Sequence, residues 1–312
     1  MRAIIALGGN ALQAEGVPAT AECQLKTIKN TAVYLADMIE NDIQIVIVHG
    51  NGPQVGRIVV QNEYAKSLTP PMPFDICGAM SQGMIGYHIQ QALGEELHKR
   101  HIDKHVVTVI TQTIVDENDK GFQHPTKPIG PYYSEAEAQK LHVEKGYSIM
   151  EDSGRGYRRI VASPVPQKII EIDTIRKLVD NGEIVISAGG GGIPVVKQSD
   201  ESLRGVTAVI DKDLAAAELA DALSADQFII LTAVDNVAIN FGKADQQALK
   251  RLTLKEAERY INEGQFGTGS MLPKIQAAMN FVGANPEKRA IVASLKNAKD
   301  ALRGKSGTII VA

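Results

Sequence analysis

Short runs of apolar residues rich in Val and Ile recur along the chain, at Arg2–Leu7, Gln44–His49, His105–Thr111, Glu183–Ala188, Gln227–Thr232, Arg289–Ala293 and Thr308–Val311. They are continuous rather than alternating, the pattern of strands covered on both faces. Longer stretches with helical spacing lie among them, at Thr20–Asn41, Ser81–His101, Ile172–Asn181, Leu214–Leu223, Leu254–Glu263 and Leu272–Val282. Strands and helices in alternation predict a parallel sheet with helices on both sides. In such sheets ligands bind beyond the carboxyl ends of the strands. Glycine clusters follow three of the predicted strands, at Gly8-Gly9, Gly50-Asn51-Gly52 and Gly189–Gly192, which places them together on one edge of the sheet.

One segment breaks the alternation. Residues from about Asp116 to Pro166 hold Pro125, Pro128, Pro131, Gly130, Gly154 and Gly156. This composition suits a small hairpin-like excursion from the sheet rather than another strand–helix unit. It reads as a flap or subdomain carrying Lys127. Arg155, Arg158 and Arg159 form a basic cluster near it, for which exposure, a dimer contact and a substrate role all stand open. Met80, Met84 and Ile85 fall in a helix and read as core.

A length of 312 residues suits two lobes and a full core without covalent staples. The net charge of -3 argues against a nucleic-acid partner held by phosphate contacts. Cys23 and Cys77 lack metal-ligand spacing, so reduced thiols and a cytoplasmic setting are expected. The N-terminal apolar run is too short for a signal peptide or a membrane span, and no other stretch approaches span length, so no membrane partner is expected.

Two lysines stand where a helix start would disfavour them. Lys212 lies in Asp211-Lys212-Asp213, which opens an alanine-rich helix, and Lys274 closes Gly269-Ser270-Met271-Leu272-Pro273-Lys274 ahead of another. The first turn of a helix carries partial positive charge, so a cation there is unfavourable by a few tenths of a kcal/mol or more. A bound anion reverses that sign, and with the glycine clusters the pattern points to phosphoryl transfer. Familiar phosphate motifs do not account for it. Gly304-Lys305-Ser306 ends like a P-loop, but Lys299 stands where the first glycine belongs. Gly50-Asn51-Gly52-Pro53-Gln54-Val55-Gly56 is one residue too long for a dinucleotide fingerprint, and Pro53 restricts its turn. The kinase His-Arg-Asp and Asp-Phe-Gly loops are missing. His98, His101 and His105 have metal-like spacing but read as a solvated helix end.

Eight blocks resemble those of the carbamate kinases, within the amino acid kinase superfamily. They are ALGGNAL, HGNGPQVG, ICGAMSQGMIGY, HPTKPIGPYY, GRGYRRIVASP, AGGGGIPV, AVIDKDLAAA and GSMLPK, in family order from Ala6 to about Ala278. The resemblance implies an α/β fold, a three-layer αβα sandwich with a mainly parallel central sheet and a small protruding subdomain. It implies a carbamate/carbamoyl phosphate lobe over 1–182, with the flap at about 116–166, and a nucleotide-binding lobe over 183–312. The implied reaction is reversible phosphoryl exchange between ADP and carbamoyl phosphate, giving ATP and carbamate, with Mg²⁺, in a homodimer. In catabolic use, such as fermentative arginine breakdown, it runs toward ATP.

Carbamoyl phosphate is small and dianionic, so backbone N–H groups must come close to it, which suits Gly8, Gly9, Gly50 and Gly52. Tight turn geometry alone is the alternative for these glycines. Asn10 and Asn51 add amide donors, with an N-cap as the other reading of either. Lys127 and Lys212 would approach the transferring phosphoryl group from different sides, supplying the charge stabilisation that this chemistry needs. By resemblance Lys274 binds the nucleotide phosphates, and Asp211 orients the lysines and is a candidate ligand for Mg²⁺. Gly189, Gly190 and Gly191, with Thr232 and Val234, are expected to face the nucleotide, a flexible linker being the other reading of the glycines. Two departures from the superfamily stand out. Its first strand often ends in a lysine near the glycines, where this chain has Asn10, and Lys127 takes over that charge. Ala233 stands where many members have aspartate, which leaves the nucleotide contacts open. Kinases of another small acid and non-catalytic sensors of the same fold are the alternatives.

Overall fold

The seven apolar runs become seven strands of one eight-stranded sheet in a computed structural model that describes residues 1–14, 16–39, 43–152 and 154–312. Strand β1 (Arg2–Leu7) shows why the runs are continuous: Ile4 and Ala6 enter one core while Ala3, Ile5 and Leu7 enter the other. Helix α1 (Ala21–Ile39) leads to β2 (Gln44–His49), parallel to β1. Positions 40 and 41 of the predicted helix lie outside the described residues. Next come α2 (Gly52–Tyr64), α3 (Phe74–Lys99), β3 (Val106–Thr108) and β4 (Gln112–Val115). The excursion holds β5 (Lys127–Tyr133), α4 (Glu135–Lys145), β6 (Ile149–Glu151) and β7 (Tyr157–Val161). Through β8 (Pro166–Ile169) and α5 (Ile172–Asp180) the chain returns to the sheet at β9 (Ile184–Ile186).

The rest of the chain runs through β10 (Ile193–Lys197), β11 (Leu203–Gly205), α6 (Lys212–Ala222) and β12 (Gln227–Thr232). A short hairpin, β13 (Ala238–Ile239) and β14 (Gln247–Ala248), precedes β15 (Arg251–Thr253) and α7 (Leu254–Asn262). The chain closes with α8 (Met271–Ala284), β16 (Arg289–Ser294), α9 (Ala298–Leu302) and β17 (Thr308–Val311). The sheet order is β15-β17-β16-β12-β1-β2-β9-β3, with only the β16/β17 pair antiparallel. Helices α1, α3 and α9 cover one face, and α5, α6, α7 and α8 the other. This is the expected three-layer sandwich. Among the described residues no helix is long and apolar enough to cross a membrane.

The excursion is richer than a hairpin. Its sheet, in the order β5-β7-β6, is antiparallel and carries α4, closed at its start by a capping box between Ser134 and Glu137. It docks on α2 through two glycines. A Cβ on Gly56 would stand 2.1 Å from the backbone of Gly130. A second attachment gathers Glu63 of α2 with Lys145 at 2.8 Å, Arg159 at 3.4 Å and the Tyr147 hydroxyl, while Arg159 lies over the Tyr147 ring. Helix α2 was hidden in the sequence by the glycine and proline at its start. Helix α3 begins at Phe74 rather than Ser81. Of the three residues read as core on α3, Ile85 is buried and Met84 half-buried, but Met80 is 46% exposed. The helix turns Met80 away from the buried face of Ser81, Ile85 and Ile89 and toward the exposed Ile76. His98, His101 and His105 are exposed, as expected of a solvated helix end.

Candidate active site

The carboxyl ends of β1, β2 and β12, the flap strand β5 and the N-terminal turns of α2, α6 and α8 surround a cavity of about 920 Å³. Gly8, Gly9, Asn10, Gly50, Asn51 and Gly52 line it from the first half of the chain, and Gly190, Thr232 and Ala233 from the second. Lys127, Asp211, Lys212 and Lys274 also face it. Gly189 and Gly191 are buried and Val234 is half-buried, and none of these three belongs to the lining.

The charged centre is built on the start of α6. Asp211 is the N-cap, its Oδ1 accepting from the Asp213 N–H at 2.8 Å, while its Oδ2 accepts from Lys127 Nζ at 2.5 Å. Lys212, the first residue of the helix, donates to Asp213 Oδ1 at 2.6 Å, and Lys274 donates to Asp213 Oδ2 at 3.2 Å and to the Ser270 carbonyl at 3.1 Å. The lysines are therefore shared between two carboxylates. Asp211 holds the flap lysine, and Asp213, 2% exposed, bridges the other two. Asp213 was missed in the sequence, although an acid on each side of a lysine at a helix start is a readable sign of it. Three cations against two anions, at a helix N-terminus, leave the cavity electropositive.

Burial opposes ionisation of Asp211, yet Lys127 and Lys212 outweigh it and hold the carboxyl well below its ordinary range. The same contest, decided by Lys212 and Lys274, lowers Asp213. Burial pushes Lys212 down despite Asp213, whereas in Lys274 the attraction of Asp213 and Asp211 outweighs burial and raises the ammonium.

The floor depends on absent side chains. The Lys212 stem passes over Gly50, where a Cβ would lie 3.4 Å from its Cδ. A Cβ on Gly189 would lie 2.4 Å from His49 Nε2, and one on Gly190, which has φ +65°, 2.2 Å from the Asn51 amide nitrogen. The two glycine loops thus pack directly on each other, which is no place for a flexible linker. Asn51 occupies the N-cap position of α2 without a side-chain cap bond and donates to Ser81 Oγ at 2.9 Å. Asn10 is exposed within a short turn whose cap is Gly8, so the N-cap reading of Asn10 fails. His49 lies beneath, with burial pushing its pKa down to about 4, so that its neutral ring donates from Nδ1 to the Gly50 carbonyl at 2.9 Å.

Below the flap, Arg57, Arg155, Arg158 and Tyr132 line the cavity as well. Of the basic cluster in the flap, Arg158 is buried at 7% exposure, and Arg159 turns away onto Tyr147. A protein-held metal does not fit this donor set. Among the described residues no group of three His, Cys, Asp or Glu is placed to hold an ion, and Asp211 is committed to Lys127 and to the α6 cap.

The sequence profile of the amino acid kinase family matches residues 1–294. A carbamate kinase of Clostridium perfringens is 56% identical over the full length of both chains. Among solved structures, carbamate kinase from Giardia lamblia bound to citric acid superposes with a TM-score of 0.95 at 41% identity, covering 99% of this chain and 98% of that one. The same Giardia enzyme bound to AMP-PNP superposes at 0.90, with the same identity and coverage.

Proposed function

The chain belongs to the carbamate kinases of the amino acid kinase family, and we propose how its residues divide the work of reversible phosphoryl transfer between carbamoyl phosphate and ADP. The observation that carries this division is the pair of bridged carboxylates, which bring lysines from the flap, α6 and α8 to one cavity. Carbamoyl phosphate lies in the half made by residues 1–182, against Gly8, Gly9, Asn10 and the loop Gly50–Gly52. The nucleotide lies in the half made by residues 183–312, with Thr232 and Gly190 at its edge and Lys274 on its phosphates. Gly189, Gly191 and Val234 support that edge from behind.

Phosphoryl transfer passes through a loose transition state, so positioning and charge do most of the work. Lys127 and Lys212 hold the transferring group from opposite sides, and each donor contributes about 10²-fold or more in turnover, by analogy with oxyanion donors. An incoming phosphate restores the preference of Lys212 for its charged form, which burial opposes in the free protein. Mg²⁺ enters with the nucleotide phosphates, because the acids at hand are already taken by lysines.

The working direction is toward ATP, in fermentative nitrogen catabolism such as that of arginine, within the cytoplasm. The working form is a homodimer joined over the apolar strip of Leu68, Met72, Ile76 and Met80, all exposed in the single chain. A monomeric mass in light scattering would refute the dimer. The reaction is tested in reverse, by following ADP release from ATP, Mg²⁺ and ammonium bicarbonate, which equilibrate with carbamate. Uridylate and N-acetylglutamate serve as rival acceptors. Release that depends on carbamate supports the reading, and release only with a rival acceptor contradicts it.

A further inference from the structure

The block ICGAMSQGMIGY lies on α3 and lines none of the cavity, yet it carries two consecutive polar residues sealed in the core, Ser81 at 0% exposure and Gln82 at 2%. Buried polar groups are unfavourable unless they are bonded, and an apolar pair would pack there at no such risk. Both residues are bonded, and each one holds a different glycine loop. Ser81 Oγ donates to the Gly78 carbonyl at 2.6 Å, one turn back, which leaves its lone pairs to accept from Asn51 Nδ2 at 2.9 Å. The Asn51 amide is thereby fixed where it packs against Gly190.

Gln82 does the same for the second loop. Its Nε2 donates to the carbonyls of Gly189 at 3.0 Å and Thr111 at 3.1 Å, and its Oε1 accepts from the Thr111 N–H at 2.9 Å. Thr111 Oγ1 in turn accepts from the Ala188 N–H at 2.9 Å, and Thr113 Oγ1 donates to the Gly191 carbonyl at 3.0 Å. These bonds hold Ala188 at φ +48°, a left-handed conformation that alanine seldom takes and keeps only where its surroundings impose it. The helix itself is seated one turn on, where Gly86 lies so near β3 that a Cβ would stand 2.3 Å from Thr108 Cγ2. The loops meet at the contact of Asn51 with Gly190, and one helix sets both sides of it.

We propose that Ser81 and Gln82 are a positioning pair, which fixes the distance and angle between the two substrates. Neither touches a substrate. Ser81 acts through Asn51 on the loop Gly50–Gly52, and Gln82 acts through Gly189 on the loop that carries Gly190. This rests on the functional reading above, which puts carbamoyl phosphate at the first loop and the nucleotide at the second. In the transfer an ADP phosphate oxygen forms its bond to phosphorus while the bond from phosphorus to the carbamoyl oxygen breaks, its electron pair staying on the carbamate. Donor and acceptor must then be in line, and a misplacement of about 1 Å costs on the order of 10²-fold in rate. Each loop still binds its own ligand when its tie to α3 is lost, so the loss falls on turnover rather than on binding.

The test compares wild type with Ser81→Ala, Gln82→Met and the double variant, beside Ile89→Ala two turns further along the buried side of α3. Alanine removes the acceptor for Asn51 and suits a helix, and methionine keeps the length of glutamine without its polar end. Ile89, 1% exposed, is a packing control that weakens the seating of the helix. The measurements are kcat and KM for ATP formation from carbamoyl phosphate, the dissociation constant of ADP, and stability to urea. In Ser81→Ala and Gln82→Met kcat should fall by about 10–100-fold, with KM and ADP binding within about threefold. The double variant should lose less than the product of the single losses, because either change already unties the loops. Ile89→Ala should lose stability and keep kcat within about twofold. If Gln82→Met does not fold, Ser81→Ala and the control decide between the outcomes. An unchanged kcat in Ser81→Ala, a loss carried by KM instead, single losses that multiply, or an equal fall in Ile89→Ala overturns the positioning role and leaves the functional reading standing. A wild type that makes no ATP from carbamoyl phosphate overturns the functional reading, and this role with it.

Discussion

Replacing Asp213 by asparagine probes the charged centre at its most loaded point. The carboxylate is 2% exposed and lies 2.6 Å from Lys212 Nζ and 3.2 Å from Lys274 Nζ. At an effective dielectric of about 20 each contact carries roughly 5–6 kcal/mol of gross attraction, most of it offset by the desolvation of the three charges. Asparagine keeps the shape and removes the charge, stranding two ammonium groups with only Asp211 nearby. Breaking one side of a buried ion pair costs about 3–5 kcal/mol. The expected loss in stability is of that size for the free protein and smaller with ADP bound, because the nucleotide phosphates then face the same lysines. Burial already lowers Lys212, and the variant also removes its main counter-charge. Since the ammonium is the working form, the alkaline fall in activity should begin at lower pH in Asp213→Asn. Thermal or urea unfolding with and without ADP, beside a pH profile of ATP formation, measures both effects. Stability within about 1 kcal/mol of wild type, together with an unmoved alkaline limb, would refute the assignment of Asp213 as the shared counter-ion.

Other perturbations read separate parts of the site. Lys212→Ala should lower turnover by about 10²-fold or more while leaving ADP affinity within about twofold, and unchanged turnover would remove Lys212 from the mechanism. Gly56→Ala sets a methyl against the Gly130 backbone and lifts the flap, so transfer should slow by about 10²-fold with ADP binding intact. Wild-type transfer rates in that variant would show that flap seating does not matter. His49 favours its neutral form in the fold, so the unfolded chain binds the extra proton as pH falls from 6.5 to about 4. Over that window it should contribute about 3 kcal/mol of lost stability. His49→Asn should flatten the corresponding slope in unfolding free energy, and an identical slope would exclude His49 as its source.

Much of the frame was legible because continuous apolar runs have few homes other than a sheet buried on both faces. The start of α6 was legible for a related reason: Asp211, Lys212 and Asp213 in sequence conflict with a bare helix N-terminus, and conflict of that kind marks a ligand. Part of what stayed hidden was set by tertiary contact. Helix α2 starts with a glycine-proline pair that reads as a turn, although proline also fits the first turn of a helix. Helix α4 has almost no apolar stripe, Ala138 being its one buried residue, so its periodicity carried little signal. Asn51 read as a substrate donor or an N-cap, and the structure adds a third role: it lines the cavity while its amide donates to Ser81 of α3 and packs against Gly190, contacts between segments far apart in the chain. Met80 read as core because its neighbours are core, yet neighbouring helix positions face different ways. Nothing in GRGYRRIVASP distinguishes Arg158 from Arg159; only the pleat of β7 sends one toward Gly52 and the other onto Tyr147.

The most direct test of the account is the rate of ATP formation from ADP and Mg²⁺ with carbamoyl phosphate, beside acetyl phosphate as the rival donor. Rapid, Mg²⁺-dependent synthesis that strongly prefers carbamoyl phosphate is the predicted result. A protein that binds ADP but makes no ATP from carbamoyl phosphate, or makes it equally well from acetyl phosphate, would contradict it.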